Sequence, residues 1–301
     1  MSLKKLFNSM PCGHSQGFRS YREVVNEALS LEKLGARISF LGKSLLGREI
    51  MLLSVGEGGK RLLIVCRQHG NEPTSTEAML EYAREMLTER KYRDIIKKVT
   101  VSVVPLANPD GAELYHFLCR KGKPSLLVSY MARTRKPYRG DINRDHRKKK
   151  SVEARAVEKA VKGVSPHIIL DLHNFYPKYE YMILRRPVHN FCCAISTNSK
   201  IDGEVSKKNY KICILAMKAV ENVSGEPAKI NGFWPGFYGR LLMPREDVLD
   251  TYYAVHFKIP SVTFEAVGGF YLCSERLWEG KLLHKVAVDA VVKALAFGEL
   301  D

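Results

Sequence analysis

No run in this 301-residue chain comes near the roughly 20 consecutive apolar residues that a membrane-spanning helix requires, so no membrane partner is expected. The first residues, Met1 to Gly17, lack the apolar stretch of a secretory signal, and a cytoplasmic location is the expectation. Cysteine supplies no framework. The seven cysteines, at 12, 66, 119, 192, 193, 213 and 273, are odd in number and irregular in spacing, and no C-x-x-C pair is present to hold a structural metal. A reducing compartment fits best, with the adjacent Cys192 and Cys193 as small buried fillers. Acidic residues are the scarcer charge: 32 Asp and Glu stand against 48 Lys and Arg, a formal net charge of +16. Nine of the basic residues fall between Arg133 and Lys150, which raises the question of an anionic partner. No recognised nucleic-acid module accompanies them, so a solvated turn beside a site that uses a few arginines is preferred to a nucleic-acid interface. Internal repeats and low-complexity segments are also lacking.

What is present suits a soluble α/β protein. Hydrophobic residues make up 45% and charged residues 27%, enough for a sizeable core, and the length is compatible with a single domain over residues 1–301. Tyr21, Val24, Val25, Ala28 and Leu29 recur at helical spacing before Gly35, predicting a helix over 20–34. Ala36 to Leu41 and Glu49 to Val55, with Gly47 between them, predict an edge hairpin. RLLIVC (61–66) and HIILDL (167–172) are short continuous apolar runs, as expected of strands buried on both faces. Between them come a helix from Pro73 to about Arg90, a strand over 99–105 and a helix over 151–162 with Ser151 as its N-cap. Further strands are expected at Tyr179 to Leu184 and Ser261 to Phe264, with helices over 205–221 and 282–296. The stretch from Ser224 to Asp250, rich in Gly and Pro, reads as a functional loop region. Alternating strands and helices predict an α/β sandwich.

The chemistry gathers at strand ends. His69 and Glu72, in QHGNEP, follow the RLLIVC strand three residues apart, a spacing that aims both side chains the same way. His173 closes HIILDL at the same edge, where ligand sites of α/β sheets collect. Two imidazoles and one carboxylate make a three-ligand set for a divalent metal, and three protein ligands leave a position for water, the catalytic rather than the structural pattern. Asp171, two residues before His173, either orients it or lies on the opposite side of the sheet edge. Glu265 ends a third strand, where a carboxylate is placed to take a proton from a metal-activated water. Asn143 and Arg144, in GDINRDH, offer an amide and a planar guanidinium suited to a carboxylate. Arg133 or Arg135 could stabilise an oxyanion.

Taken together the sequence resembles the zinc carboxypeptidases of the carboxypeptidase A type. GKSLLGREI is similar to that family's lead-in, QHGNEP to its first metal motif, NPDG (108–111) to its usual turn, INRDH to its carboxylate clamp, ILDLH to its third ligand and TFE to its catalytic glutamate. The resemblance implies a mixed, twisted sheet of about eight strands with helices on both faces. It implies one Zn2+ per chain held by His69, Glu72 and His173, Glu265 as general base and then acid, Asn143 and Arg144 as the clamp, and Arg135 ahead of Arg133 for the oxyanion. Where the family carries a mobile tyrosine this sequence has Met243; Tyr238, Tyr252 and Tyr253 are the substitutes to consider, Tyr253 foremost. Asn71 brings the first motif closer to microbial members.

The expected activity is removal of the C-terminal residue of a peptide. The alternatives are a deacylase of the aspartoacylase or succinylglutamate desuccinylase type, acting on an acyl amino acid with the same zinc set, and an amidase of cell-wall peptides. A metal-free binding module is disfavoured by the intact ligand set. Asp250 lies where the family sets the floor of its side-chain pocket and would attract a basic terminal residue; the basic segment would favour acidic peptides instead.

Overall fold

The computed structural model describes residues 17–120, 134–135, 140–175, 190–225, 228–232, 245–268 and 274–301. Helix α1 (Tyr21–Glu32) starts at a capping box in which Ser20 accepts from the Glu23 backbone N–H and the Glu23 side chain reaches back. Of the predicted apolar stripe Val24 and Ala28 are buried, together with Leu31, whereas Leu29 is exposed and Tyr21 and Val25 are only partly covered. Strands β1 (Arg37–Lys43) and β2 (Glu49–Val55) form the expected hairpin, and β3 (Lys60–Cys66) follows. After β3 come helix α2 (Thr74–Thr88), strand β4 (Val99–Val104) and helix α3 (Pro109–Arg120). Strands β5 (Thr134–Arg135) and β6 (Gly140–Asp141) pair as a small separate ribbon. Helix α4 (Val152–Val164), capped by Ser151 as predicted, precedes β7 (Ile168–Phe175) and β8 (Phe191–Ile195). Helix α5 (Gly203–Ser224), β9 (Lys229–Gly232), helix α6 (Leu249–Phe257), β10 (Ser261–Val267) and helix α7 (Ser274–Ala296) complete the order.

Eight strands make one mixed sheet in the order β1-β2-β4-β3-β7-β10-β8-β9. The four central strands β4, β3, β7 and β10 are parallel, so their carboxyl ends share one edge. Alternation along β3 explains why its sequence is apolar throughout. Leu62, Ile64 and Cys66 pack with α2 and α7, whereas Leu63 and Val65 pack with α4 and α6 on the other face.

Several predicted elements shift. His173 and Glu265 lie within strands that run on to Phe175 and Val267, rather than at their last residues. NPDG is the start of α3, not only a turn: Asn108 Oδ1 accepts from Gly111 N at 2.9 Å and so acts as a cap. Strands β8 and β9 and helix α6 were not predicted, and the last two lie in or border the segment read as loop. The strand expected at Tyr179 to Leu184 lies outside the described residues.

Helix α7 crosses the tip of β10 closely. A Cβ on Gly280 would lie 1.8 Å from the Val267 carbonyl oxygen, whereas one on Gly163, in α4, would meet nothing within 4 Å. Gly280→Ala should therefore destabilise the protein by about 1–3 kcal/mol through overpacking. Gly163→Ala should stabilise it by about 0.5–1 kcal/mol through helix propensity and loss of unfolded-state freedom. Urea unfolding midpoints of the two variants check the pair, and equal shifts of the same sign would contradict the packing.

Candidate metal centre

The loop that follows β3 is shaped by an unusual residue. Arg67 takes a left-handed φ of +55°, is 1% exposed, and donates from Nε to Gly70 O at 3.0 Å. Its guanidinium lies over the Phe18 ring, 5.3 Å from the centroid. Gly70 is required for close approach: a Cβ there would stand 2.2 Å from the backbone carbon of Gly111 in α3. Asn108 Nδ2 donates to Gln68 O at 3.1 Å and ties the same loop to the start of α3. NPDG thus fastens the segment that carries His69 and Glu72.

The loop and β7 bring the three expected ligands together. His69 Nδ1 is 2.8 Å from Glu72 Oε1, His173 Nδ1 is 2.9 Å from Glu72 Oε2, and the two Nδ1 atoms are 3.1 Å apart. One donor atom from each residue falls within 4.8 Å of the others, and all three residues are buried. The fit to a divalent ion is chemical as well as geometric. Both Nδ1 atoms turn toward Glu72, while both Nε2 atoms turn away onto carboxylates: His69 Nε2 onto Asp141 Oδ1 and His173 Nε2 onto Asp171 Oδ2, each at 2.9 Å. A carboxylate on Nε2 fixes the proton there and leaves Nδ1 free to coordinate. Facing imidazoles hold the Glu72 carboxyl well below its ordinary range, although burial alone would raise it.

Two of these partners resolve what the sequence left open or missed. Asp171 orients His173. It is itself held by Gln68, whose Nε2 donates to both carboxylate oxygens at 2.8 Å, and Gln68 Oε1 accepts from His146 Nε2 at 2.6 Å. Asp141, Gln68 and His146 were not singled out by sequence; the cue was their place beside the motifs, as neighbours of Asn143 and His69. Asn174 is the other missed residue. Its Oδ1 accepts from Thr74 N at 3.2 Å, its Nδ2 donates to Ala266 O at 3.2 Å and to Thr74 Oγ1, and its backbone N–H donates to Glu72 Oε2 at 3.2 Å. One side chain so joins the start of α2, β7 and β10. His284 in α7 adds an Nε2 bond to His173 O at 3.0 Å.

Glu265 stands directly beside His173 in the parallel register of β7 and β10, so the two side chains leave the same face of the sheet. Asn143 is buried, with Nδ2 donating to Asp171 Oδ2 at 3.3 Å and lying 3.1 Å from His173 Nε2, and with Oδ1 accepting from Leu249 N at 3.0 Å. Arg144 is partly exposed and donates from Nη1 to Asn143 O at 2.7 Å. Arg135 is in β5, paired with Gly140, but its side chain, like Arg133, Tyr238 and Met243 entire, lies outside the described residues. Tyr253 is a correction. It is 0% exposed and packs with Phe257 and Tyr252 in the core, and burial raises its pKa, so it does not face a ligand. Tyr252 accepts a bond from Lys149 Nζ at 2.8 Å. Asp250 is buried in α6, where Thr251 and Thr263 supply its hydrogen bonds.

Two outcomes follow from this arrangement. Asp171→Asn replaces the carboxylate that orients His173 with a neutral amide, one side of which cannot accept, and should weaken Zn2+ binding by about 10–100-fold, measured by competition with a chromogenic chelator. Unaltered affinity would leave Asp171 without that role. The second concerns acid stability of the metal-free chain. Burial pushes His146 down to about 4 and His284 to about 3 from an ordinary 6.5, so below 6.5 the unfolded chain binds protons that the folded chain does not, and stability is lost as pH is lowered from 6.5. For His173 burial also opposes the charge, but Asp171 and Glu72 outweigh it and raise the pKa. Its stabilisation is complete below 6.5 and is lost as pH rises through the raised value. A maximum near pH 6.5 is expected in urea midpoints taken from about pH 5 to about pH 9, and a steady rise across that range would contradict the assignment.

Comparison with known proteins agrees with this geometry. A sequence model described as zinc carboxypeptidase matches residues 30–173, which include His69, Glu72 and His173. Probable carboxypeptidase 2 of Trichophyton verrucosum is 30% identical over 108 residues, 36% of this chain but only 18% of that protein. The match to that curated relative thus spans less than a fifth of its length. The metallo-carboxypeptidase of Burkholderia cenocepacia superposes with a TM-score of 0.69 at 17% identity, covering 95% of this chain and 71% of that one. Carboxypeptidase A of Helicoverpa armigera gives 0.68 at 17% identity, covering 98% and 78%. The chain is thus similar in sequence to the zinc carboxypeptidase model over residues 30–173, just under half of its length, and shares the fold of solved carboxypeptidases along nearly all of it.

Proposed function

We propose that the chain is a zinc-dependent metallocarboxypeptidase that hydrolyses the C-terminal peptide bond of a peptide, with a single Zn2+ held by His69, Glu72 and His173. The observation that carries the reading is the register of Glu265 beside His173, which puts an acid next to the ligand set without making it a ligand. When bound, the ion supplies a Lewis acid for the scissile carbonyl and lowers the pKa of a bound water from ~16 toward ~7.

The chain's own residues do the rest. Glu265 takes a proton from water as its oxygen adds to the carbonyl carbon, and then delivers that proton to the amine nitrogen as the C–N bond breaks. Arg144, partly exposed beside the centre, holds the substrate's free carboxylate through its planar fork. Asn143 shares the clamp by turning from Asp171, and in the present arrangement it steadies the ligand side of the site. Arg135 is assigned to the developing oxyanion. The deacylase and cell-wall amidase readings share these residues but have no observation of their own in their favour.

Glu265→Gln should retain near-stoichiometric zinc and lower kcat on blocked dipeptides by ~10² or more, the usual scale for losing a general base. Zinc content by atomic emission and turnover measured on the same preparation check this. Full activity in the variant would remove Glu265 from the mechanism.

A further inference from the structure

Two charge features pull the specificity in opposite directions, and their surroundings distinguish them. Asp250, the acid that would attract a basic terminal residue, is 2% exposed. Its Oδ1 accepts from Thr251 N at 2.5 Å and Thr251 Oγ1 at 3.1 Å, and its Oδ2 accepts from Thr263 Oγ1 at 2.9 Å. Burial, with Asp171 nearby, also raises its pKa and so disfavours its charged form. Asp250 fastens the first turn of α6 to β10 and presents little to a ligand.

The basic residues have the reverse setting. The chain leaves the metal centre through Asp141, Asn143 and Arg144 and runs at once into Arg147 and Lys148, both exposed. His146 N donates to Asp247 O at 3.1 Å and so brings residues 245–247 alongside. Arg245 is within electrostatic reach of Asp141, the carboxylate behind His69. The side chains of Arg147, Lys200 and Arg245 are 62%, 64% and 50% exposed, whereas the intervening acids Glu246 and Asp247 are 14% and 19% exposed. Glu246 is shared by Arg147 at 3.7 Å, His256 at 3.5 Å and Lys200. Asp247 is taken by Arg245 through bonds of 2.9 and 2.6 Å. With Arg144 and Lys148 this rim has five cationic side chains over two acids, Glu246 and Asp247, and its outer layer is cationic.

We propose that the site takes peptides whose C-terminal residues are acidic, drawn in and held by the rim formed by Arg147, Lys148, Lys200 and Arg245. This rests on the carboxypeptidase reading. A cleft edge of one sign concentrates ligands of the other sign and raises capture by about 10- to 1,000-fold, an effect that salt screens.

The test uses the zinc-loaded full chain and three blocked tetrapeptides that differ only in their last two residues: Glu-Glu, Gln-Gln and Lys-Lys. At low ionic strength kcat/KM should fall in that order, with Glu-Glu favoured over Gln-Gln by about tenfold or more, and the three values should converge as salt is added. The double variant Arg147→Glu with Lys148→Glu should abolish the Glu-Glu preference over Gln-Gln while zinc content stays near-stoichiometric, and a preference that survives in it overturns the inference. Cleavage of Gln-Gln without any preference for Glu-Glu overturns this inference and leaves the carboxypeptidase reading standing. A Lys-Lys preference that Asp250→Asn removes overturns it in favour of Asp250. Failure to cleave any of the three overturns both readings.

Discussion

Negative charge buried beside two imidazoles, on β7, on the loop after β3 and at the end of β6, is the constraint around which the rest is arranged. Glu72, Asp141 and Asp171 face two imidazoles in a region almost closed to water. A buried ion costs several kcal/mol unless it is paired and hydrogen-bonded. With both imidazoles neutral, as coordination through Nδ1 requires, the cluster has three negative charges and no positive one. A dication between His69, Glu72 and His173 offsets two of them. Without it the same field acts on protons, which is why His173 holds its proton well above the ordinary range despite burial. A proton and a divalent ion held by His69, Glu72 and His173 would therefore compete at one atom for one electrostatic well, so that metal affinity and His173 basicity would have a common origin.

Much of this was legible in the sequence because the ligands sit where strand patterning is strongest. Continuous apolar runs identify β3 and β7, and the residues that follow or end them can reach only the shared carboxyl edge. The capping residue Ser151 and the hairpin at Gly47 were equally plain. What escaped was set by tertiary contact. Helix α3 contains Gly, aromatic residues and Cys, which are weak helix formers, and it is helical because Asn108 caps it and Gly70 lets it lie against the His69 loop. Strand β8, FCCAI, is too short for its period to show, and pairing with β10 defines it. Tyr253 could be placed near the site by sequence distance, but only packing shows that its ring belongs to the core.

Charge is layered around the centre, and the layers follow from the fold. Acids that must stay fixed lie inside, on β7, on the β6 end and in the first turn of α6, where side-chain amide, backbone and hydroxyl donors satisfy them. Bases lie outside, on long side chains whose charged ends reach water while their stems cover the acids beneath. Glu246 shows the arrangement at one residue, with three basic side chains gathered over one largely covered carboxylate. An inner set that binds a cation and an outer set that presents cations can coexist only if low-dielectric protein separates them. The α6 start, tied to Asn143 and to β10, supplies that separation.

The two imidazoles have unequal support, and the chain's path explains why. His173 lies inside a regular strand with hydrogen-bonded neighbours on both sides, and its backing runs inward through Asp171 and Gln68 to His146, all 0% exposed. His69 lies on a loop that has no ladder to hold it. Its order comes from a chain of side-chain contacts instead: Arg67 to Gly70 O, Asn108 to Gln68 O, and Asp141 on the ring itself. Arg67 must accept a left-handed backbone and a dry guanidinium to play this part, and burial lowers its pKa to about 10. Gln68 belongs to both systems, because its backbone carbonyl steadies the loop and its side chain steadies Asp171. The distance between the two imidazoles is therefore not left to each element separately; one residue between β3 and His69 couples them, and the ligand set is fixed as a unit.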